Sequence, residues 1–162
     1  MHGGDTMAAA TLKMTAAELT DFLAREFPQA FGDGRPSIIE SVSPGAARVR
    51  LKADEQHLRP GGTISGPAMM ALCDGAMYVA ILAAIGPVAL AVTTNLSINF
   101  LRKPDPGDLI ADCKLLKLGK RLAVGEVAIH AAGDEELVAH CVATYSIPRT
   151  GNLHLGKKIP YL

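Results

Sequence analysis

Apolar positions change their spacing three times along this 162-residue chain. Near the start, Leu19, Phe22, Leu23 and Phe27 recur at intervals of three and four, which predicts an amphipathic helix over about Ala16 to Phe27, ended by Pro28. Thr15 precedes it as N-cap, with Glu18 placed to complete a capping box. The spacing then falls to two. Ile38 to Val42 reads as a short strand, Pro44-Gly45 as a turn, and Ala47, Val49 and Leu51 alternate with Arg48, Arg50 and Lys52 as a half-buried strand. After a polar, glycine-rich loop from Asp54 to Thr63, Ser65 caps a long helix with Pro67 in its first turn. From Ala68 to Ile85 almost every residue is apolar. Period two returns after Gly86-Pro87. Val92, Leu96, Ile98 and Phe100 define a strand reaching about Arg102, Pro104 to Gly107 a turn, and Leu109 to Leu118, Leu122 to His130 and Leu137 to Ile147 three further strands.

The predicted order is helix, two strands, long apolar helix, four strands. Alternation leaves one sheet face polar, so the helices belong on the other face: an α+β domain with helices segregated to one side of an antiparallel sheet. It spans about residues 15–148, between a flexible N-terminal tail (1–14) and a C-terminal tail (149–162).

Composition narrows the classes. Apolar residues make up 49%, aromatic residues only 4%, and there is no Trp, so aliphatic side chains build the core. Sixteen basic residues balance sixteen acidic ones, which argues against a dedicated nucleic-acid binder. Cys73, Cys113 and Cys141 lack the spacing of a zinc site or a disulfide framework and read as buried hydrophobes in a reducing, cytoplasmic compartment. No secretory signal is visible. Ala68 to Ile85 is about long enough to span a bilayer, but a mid-segment acid and a Gly/Pro-rich approach favour a buried core helix and no membrane insertion.

That acid, Asp74, is the candidate for chemistry. Burial penalises an ionised carboxylate unless it is paired or hydrogen-bonded, so an acid kept there has a partner or a task. Ser65 reads as a cap rather than a nucleophile, because no G-x-S-x-G elbow surrounds it. His57, His130 and His140 stand apart and argue for no metal site.

The stretch Arg59-Pro60-Gly61-Gly62-Thr63-Ile64-Ser65-Gly66-Pro67, followed by Leu72-Cys73-Asp74, resembles the N-P-x-G-T-x-H-G-G loop and L-x-D helix of the hotdog-fold acyl-CoA thioesterases, specifically the phenylacetate-degradation (PaaI-like) branch. Val92-Thr93-Thr94-Asn95-Leu96, Phe100-Leu101-Arg102-Lys103-Pro104, Gly107-Asp108 and Leu118 to Ala123 resemble its later strand, turn and hairpin. The resemblance covers about Ile38 to Pro148. Arg59 stands where the family usually has Asn, Ser65 where it has His, and Pro67 where it has a second Gly. The literal His2-Gly3-Gly4 is a decoy, with no acid-bearing helix behind it.

The resemblance implies a hotdog fold, a curved antiparallel sheet wrapped around one long helix, and hydrolysis of an acyl-CoA thioester without cofactor or metal. Asp74 would be general base or nucleophile, the Gly66 amide the oxyanion donor, and Thr93 the hydroxyl that positions water, with Thr94 and Asn95 able to substitute. Gly66 and Asp74 would come from different subunits of a homodimer, itself expected to pair into a homotetramer. Ser65 and Pro67 would border the substrate, and Arg59 would pair with Asp74 across the interface or bind a ligand anion. Arg102, Lys103, Lys117, Lys120 and Arg121 are the candidates for coenzyme A phosphates. Met69, Met70 and Met77 would fill core and acyl pocket, fitting a medium-chain or aromatic acyl group. The rival readings are a non-catalytic acyl-CoA binder or sensor and a structural dimerisation module; a hydratase lacks its Asp/His motif.

Overall fold

The computed structural model describes residues 11–149, so His2-Gly3-Gly4 and most of both expected tails lie outside the described residues. Within the described range the chain is docked before the first helix: Met14 is buried, and the Lys13 and Met14 amides both donate to the Ala83 carbonyl, at 2.7 and 3.2 Å.

Helix α1 (Ala16–Glu26) opens on the expected capping box, with the Glu18 amide donating to Thr15 Oγ1 and the Thr15 amide to Glu18 Oε2. Pro28 does more than end it. Phe27 leaves helical geometry and Pro28 starts a second, single-turn helix, α2 (Pro28–Phe31), at the position where a missing N–H costs nothing. The pair makes a corner that buries Leu19, Leu23 and Phe31. Strands β1 (Ser37–Ser43) and β2 (Ala46–Leu51) form a hairpin. The loop after them is more ordered than its composition implies. Asp54 caps a short 3-10 turn over Glu55–His57, and β3 (Leu58–Arg59) pairs with β4 (Thr63–Ile64). Elements of two and three residues are too short to leave a periodic signal.

Helix α3 (Gly66–Ile85) is capped by Ser65 Oγ, which accepts from the Ala68 amide at 3.3 Å, and stops at Gly86, whose φ of 95° suits glycine. Strands β5 (Val92–Phe100), β6 (Leu109–Leu118), β7 (Leu122–Ala131) and β8 (Leu137–Ser146) follow. All six long strands are antiparallel in the order β1-β2-β6-β7-β8-β5, curved around α3. This is the hotdog arrangement, and it leaves β1 and β5 as sheet edges. Every α3 residue from Ala76 to Ala84 is buried. The helix has the length and mean hydropathy (1.9) of a membrane span, and 67% of that window is enclosed by the fold itself.

The sheet approaches the helix closely at Gly125 on β7. A Cβ there would lie 2.5 Å from Met77 Sδ and 3.0 Å from the Lys114 carbonyl oxygen, and the latter belongs to a neighbouring strand and cannot swing away. Gly125→Ala is therefore expected to lower stability by about 1–3 kcal/mol through overpacking, read as a fall in the urea midpoint.

The outer sheet face carries charge. Arg48 Nε and Nη2 donate to the two Asp112 oxygens at 2.6 and 2.9 Å, while Arg50 pairs with Glu40 and Asp108. His130 places Nε2 3.1 Å from Asp112 Oδ2 and Nδ1 3.0 Å from the Ala131 carbonyl. Both ring nitrogens face acceptors, so only the imidazolium satisfies both. Burial pulls the His130 pKa down, the Ala131 carbonyl and Asp112 push it up, and the net direction is up. A raised histidine pKa adds stability that is complete below the unfolded value, about 6.5, and is lost as pH rises through the folded value. Urea melts of wild type and His130→Asn should differ most below about pH 6.5 and converge above it; a gap independent of pH would show that no charge is involved.

Candidate active site

Asp74 sits midway along α3, half-buried, at the edge of a cavity of about 700 Å³. Among the described residues both its side-chain partners are hydroxyls, and both bind the same oxygen. Thr93 Oγ1 donates to Oδ1 at 2.5 Å and the Tyr145 hydroxyl donates to it at 2.6 Å. The Tyr145 hydroxyl also lies 2.9 Å from the backbone carbonyl of Asp74. One phenol thus touches both ends of the acid residue and fixes its rotamer, and Oδ2 has no hydrogen-bond partner among the described residues.

Two strands deliver these hydroxyls. Thr93 and Tyr145 are direct cross-strand partners of β5 and β8. Simple alternation would put Thr93 on the opposite face from Leu96 and Ile98, which pack against the core. A bulge at Thr94 reverses the phase: Thr93 pairs with Tyr145, and Asn95 pairs with Thr144. Thr94 Oγ1 donates to the Thr144 carbonyl at 3.2 Å, holding the bulge. Tyr145 is buried, and its ring stacks on Tyr78 with centroids 6.3 Å apart and planes 16° from parallel. Burial first, and then its bond to the Asp74 carboxylate, push the Tyr145 pKa up, so the phenol stays a donor at any working pH.

The other expected residues separate into groups. Gly66 opens α3. The Ala68 amide is taken by Ser65 Oγ, and Pro67 has none, which leaves Gly66 the remaining amide of the first turn. Phe100 stands against it, with Cζ 3.3 Å from where a Gly66 Cβ would be. Gly66 is eight residues from Asp74, about 12 Å along the helix axis. Within one chain the two cannot serve one carbonyl. Arg59 is exposed on β3 and is not among the partners of Asp74. Asn95 is exposed. Arg102 is held by Asp134 and Glu136 at 3.2 and 2.9 Å, and Arg121 Nε donates to the Ile147 carbonyl at 3.3 Å. Lys103, Lys117 and Lys120 are exposed. Of the methionines, Met69 and Met77 are core residues, Met70 is 42% exposed, and none of the three lines the cavity.

Sequence reasoning missed Tyr145 and the wall opposite Asp74. A signal for Tyr145 exists: it shares the inward phase of β8 with Ala139, Cys141 and Ala143, and an inward phenol needs an acceptor. His57, expected to stand apart, borders the cavity; its Nδ1 lies 3.0 Å from the Asp54 amide nitrogen and 3.1 Å from Asp54 Oδ1. Cys73 and Cys113 are no nucleophiles: the Cys141 contact and burial push Cys73 up, and burial pushes Cys113 up to about 12, while the Cys73 contact pulls Cys141 down inside the core.

The fold recurs in known proteins. A family model described as the thioesterase superfamily matches residues 61–138, which include Gly66, Asp74 and Thr93. A crystal structure of a candidate thioesterase from Silicibacter sp. TM1040 superposes with a TM-score of 0.79 at 44% identity, covering 87% of this chain and 96% of that one. A single-site mutant of the phenylacetic acid degradation protein PaaI from Thermus thermophilus aligns at 26% identity and a TM-score of 0.61, covering 69% of this chain and 93% of that one. A candidate esterase of Thermoplasma acidophilum is 27% identical over 111 residues, 68% of this chain and 83% of its own length. The chain belongs to the thioesterase superfamily of hotdog proteins.

Proposed function

We propose that this protein is a PaaI-like enzyme that hydrolyses an acyl-CoA thioester to the free acid and coenzyme A, with Asp74 as the acid that drives attack. The observation carrying this reading is the one-sided hydrogen bonding of Asp74. Two hydroxyls hold Oδ1, the cavity lies beside it, and Oδ2 is free to take a proton from water or to add to the carbonyl. Water then supplies the oxygen that replaces sulfur on the acyl carbon, the C–S bond breaks, and the thiolate of coenzyme A leaves and takes up a proton.

The tetrahedral oxyanion needs a donor, and in this reading it comes from Gly66 of a second copy, because the intrachain separation is too great. Edge strand β5 supports pairing of two copies: Val92 and Phe100 are 55% and 48% exposed on it, and Leu101 beyond its end is 55% exposed. The working unit is then a homodimer, or a tetramer of two dimers, acting in the cytoplasm without a metal or cofactor. Ser65 shapes the helix entrance. Arg59, exposed near that entrance, is positioned in sequence to meet the partner's acid or a ligand anion, and Lys103 and Lys120 remain candidates for the phosphates of coenzyme A. Replacement of the usual Asn and His by Arg59 and Ser65 favours a second reading, an acyl-CoA binder that does not turn over.

Release of coenzyme A from a panel of thioesters separates the two. Wild type should turn over members of the panel, and Asp74→Asn should lose roughly 10²–10⁴-fold in kcat with little change in KM, since the amide keeps the shape and loses the base. Saturable binding with no release by wild type would establish the binder instead.

Tyr145 acts through Asp74 and is a positioning residue. Tyr145→Phe removes one donor to the charged acid, worth about 1.5–3 kcal/mol, so kcat should fall roughly ten- to a hundredfold. KM should hold, because the phenol touches the acid and not the ligand. An unchanged kcat would reduce Tyr145 to packing.

A further inference from the structure

The cavity beside Asp74 has two walls of different origin. One is the face of α3 carrying Ala68, Leu72, Gly75 and Tyr78, spaced at three and four residues. The other is the α1–α2 corner, where Phe27, Ala30 and Phe31 line it. Phe31 is buried and lies across Gly75, the residue after the acid: its Cζ is 3.4 Å from where a Gly75 Cβ would stand. Phe27 leans on Phe31 with ring centroids 6.1 Å apart and is 42% exposed, so one ring faces solvent and the other faces the interior. Residues 61–138 match the superfamily model, which takes in Asp74 and Thr93 but neither α1 nor α2. The shared segment carries the acid and Thr93, and the corner outside it supplies the facing wall.

We propose that the α1–α2 corner is the acyl-selectivity element of this protein, with Phe31 setting how large an acyl group can lie beside Asp74, and that the group admitted is an uncharged, medium-length alkyl chain. The inference rests on the thioesterase reading for the identity of the ligand. The helix face floored by Ala68 and Gly75 has no bulky side chain at those positions and runs about 9 Å from Asp74 back to Ala68. That length exceeds an acetyl group and falls short of a long fatty chain. The other end is closed by the stacked Tyr78 and Tyr145 rings. Burial first, and then the Glu26 charge, push the Tyr78 phenol up; Glu26 borders the same cavity and repels an acyl group that ends in a carboxylate.

Two substitutions push the boundary in opposite directions. Phe31→Ala empties the wall above Gly75, and Gly75→Ala adds a methyl against Phe31 at ordinary contact distance while favouring the helix. The measurement is kcat/KM over straight-chain acyl-CoA esters from acetyl to palmitoyl, paired with the affinity of the matching non-hydrolysable thioethers. Wild type should peak at intermediate length, with roughly fourfold gained per methylene up to the peak. Phe31→Ala should move the optimum to longer chains by at least tenfold in the long-to-medium ratio, and Gly75→Ala should move it to shorter ones. Succinyl-CoA should be the poorest substrate for its size. Turnover with a length profile fixed in both variants overturns the selectivity role and leaves the thioesterase reading standing. Shifted thioether affinities without turnover keep the pocket and overturn hydrolysis. Phe31→Leu, with a smaller shift in the same direction, serves should Phe31→Ala fail to fold.

Discussion

A carboxylate midway along the most apolar helix of the chain has to be compensated, and the arrangement of the sheet around it follows from how that is done. Asp74 takes both compensating donors from hydroxyls, not from a cation. An adjacent guanidinium would neutralise the acid and occupy its outer oxygen. Two neutral donors on one oxygen hold the group in place and leave the other oxygen usable. The geometry therefore anchors a half-buried acid through one oxygen and leaves the other without a partner among the described residues.

That solution constrains β5 and β8. Tyr145 reaches Asp74 because the inward phase of β8 runs unbroken from Ala139, while Thr93 reaches it only because β5 slips by one residue at Thr94. The same strand must bury Leu96 and Ile98 farther along, and no regular strand places residues 93, 96 and 98 on one face. The bulge is thus a requirement of the site.

Much of this was legible in the residues. The capping box at Thr15, the Ser65 cap and the alternation in Ala46 to Leu51 are local signals, and the elements began within a residue or two of where those signals put them. Asp74 stood out because a charged residue in an apolar run conflicts with its surroundings. Three features were not legible, each for a physical reason. The helix at Pro28 was hidden because proline ends one helix and begins another equally well. The bulge was hidden because Val92, Leu96, Ile98 and Phe100 share one parity, and that parity conceals the slip between Thr93 and Asn95. Tyr145 was hidden because its partner lies 71 residues away, a pairing that only the closed sheet makes.

The placement of Gly66 against Asp74 bears on assembly. A helix rises about 1.5 Å per residue, so eight residues hold the first-turn amide and the acid about 12 Å apart in every copy. A thioester carbonyl bound by one cannot be attacked with the help of the other in the same chain. On the proposed mechanism, the second half of the site must come from another molecule, brought in along the exposed β5 edge with Phe100 already packed on Gly66. The α1–α2 corner lies against β1, at the far edge of the sheet. On the proposed reading, the acyl wall draws on the β1 side of the sheet and the pairing of copies on its β5 edge, and the cavity joins them, since Val92 and Thr93 line it with Phe31.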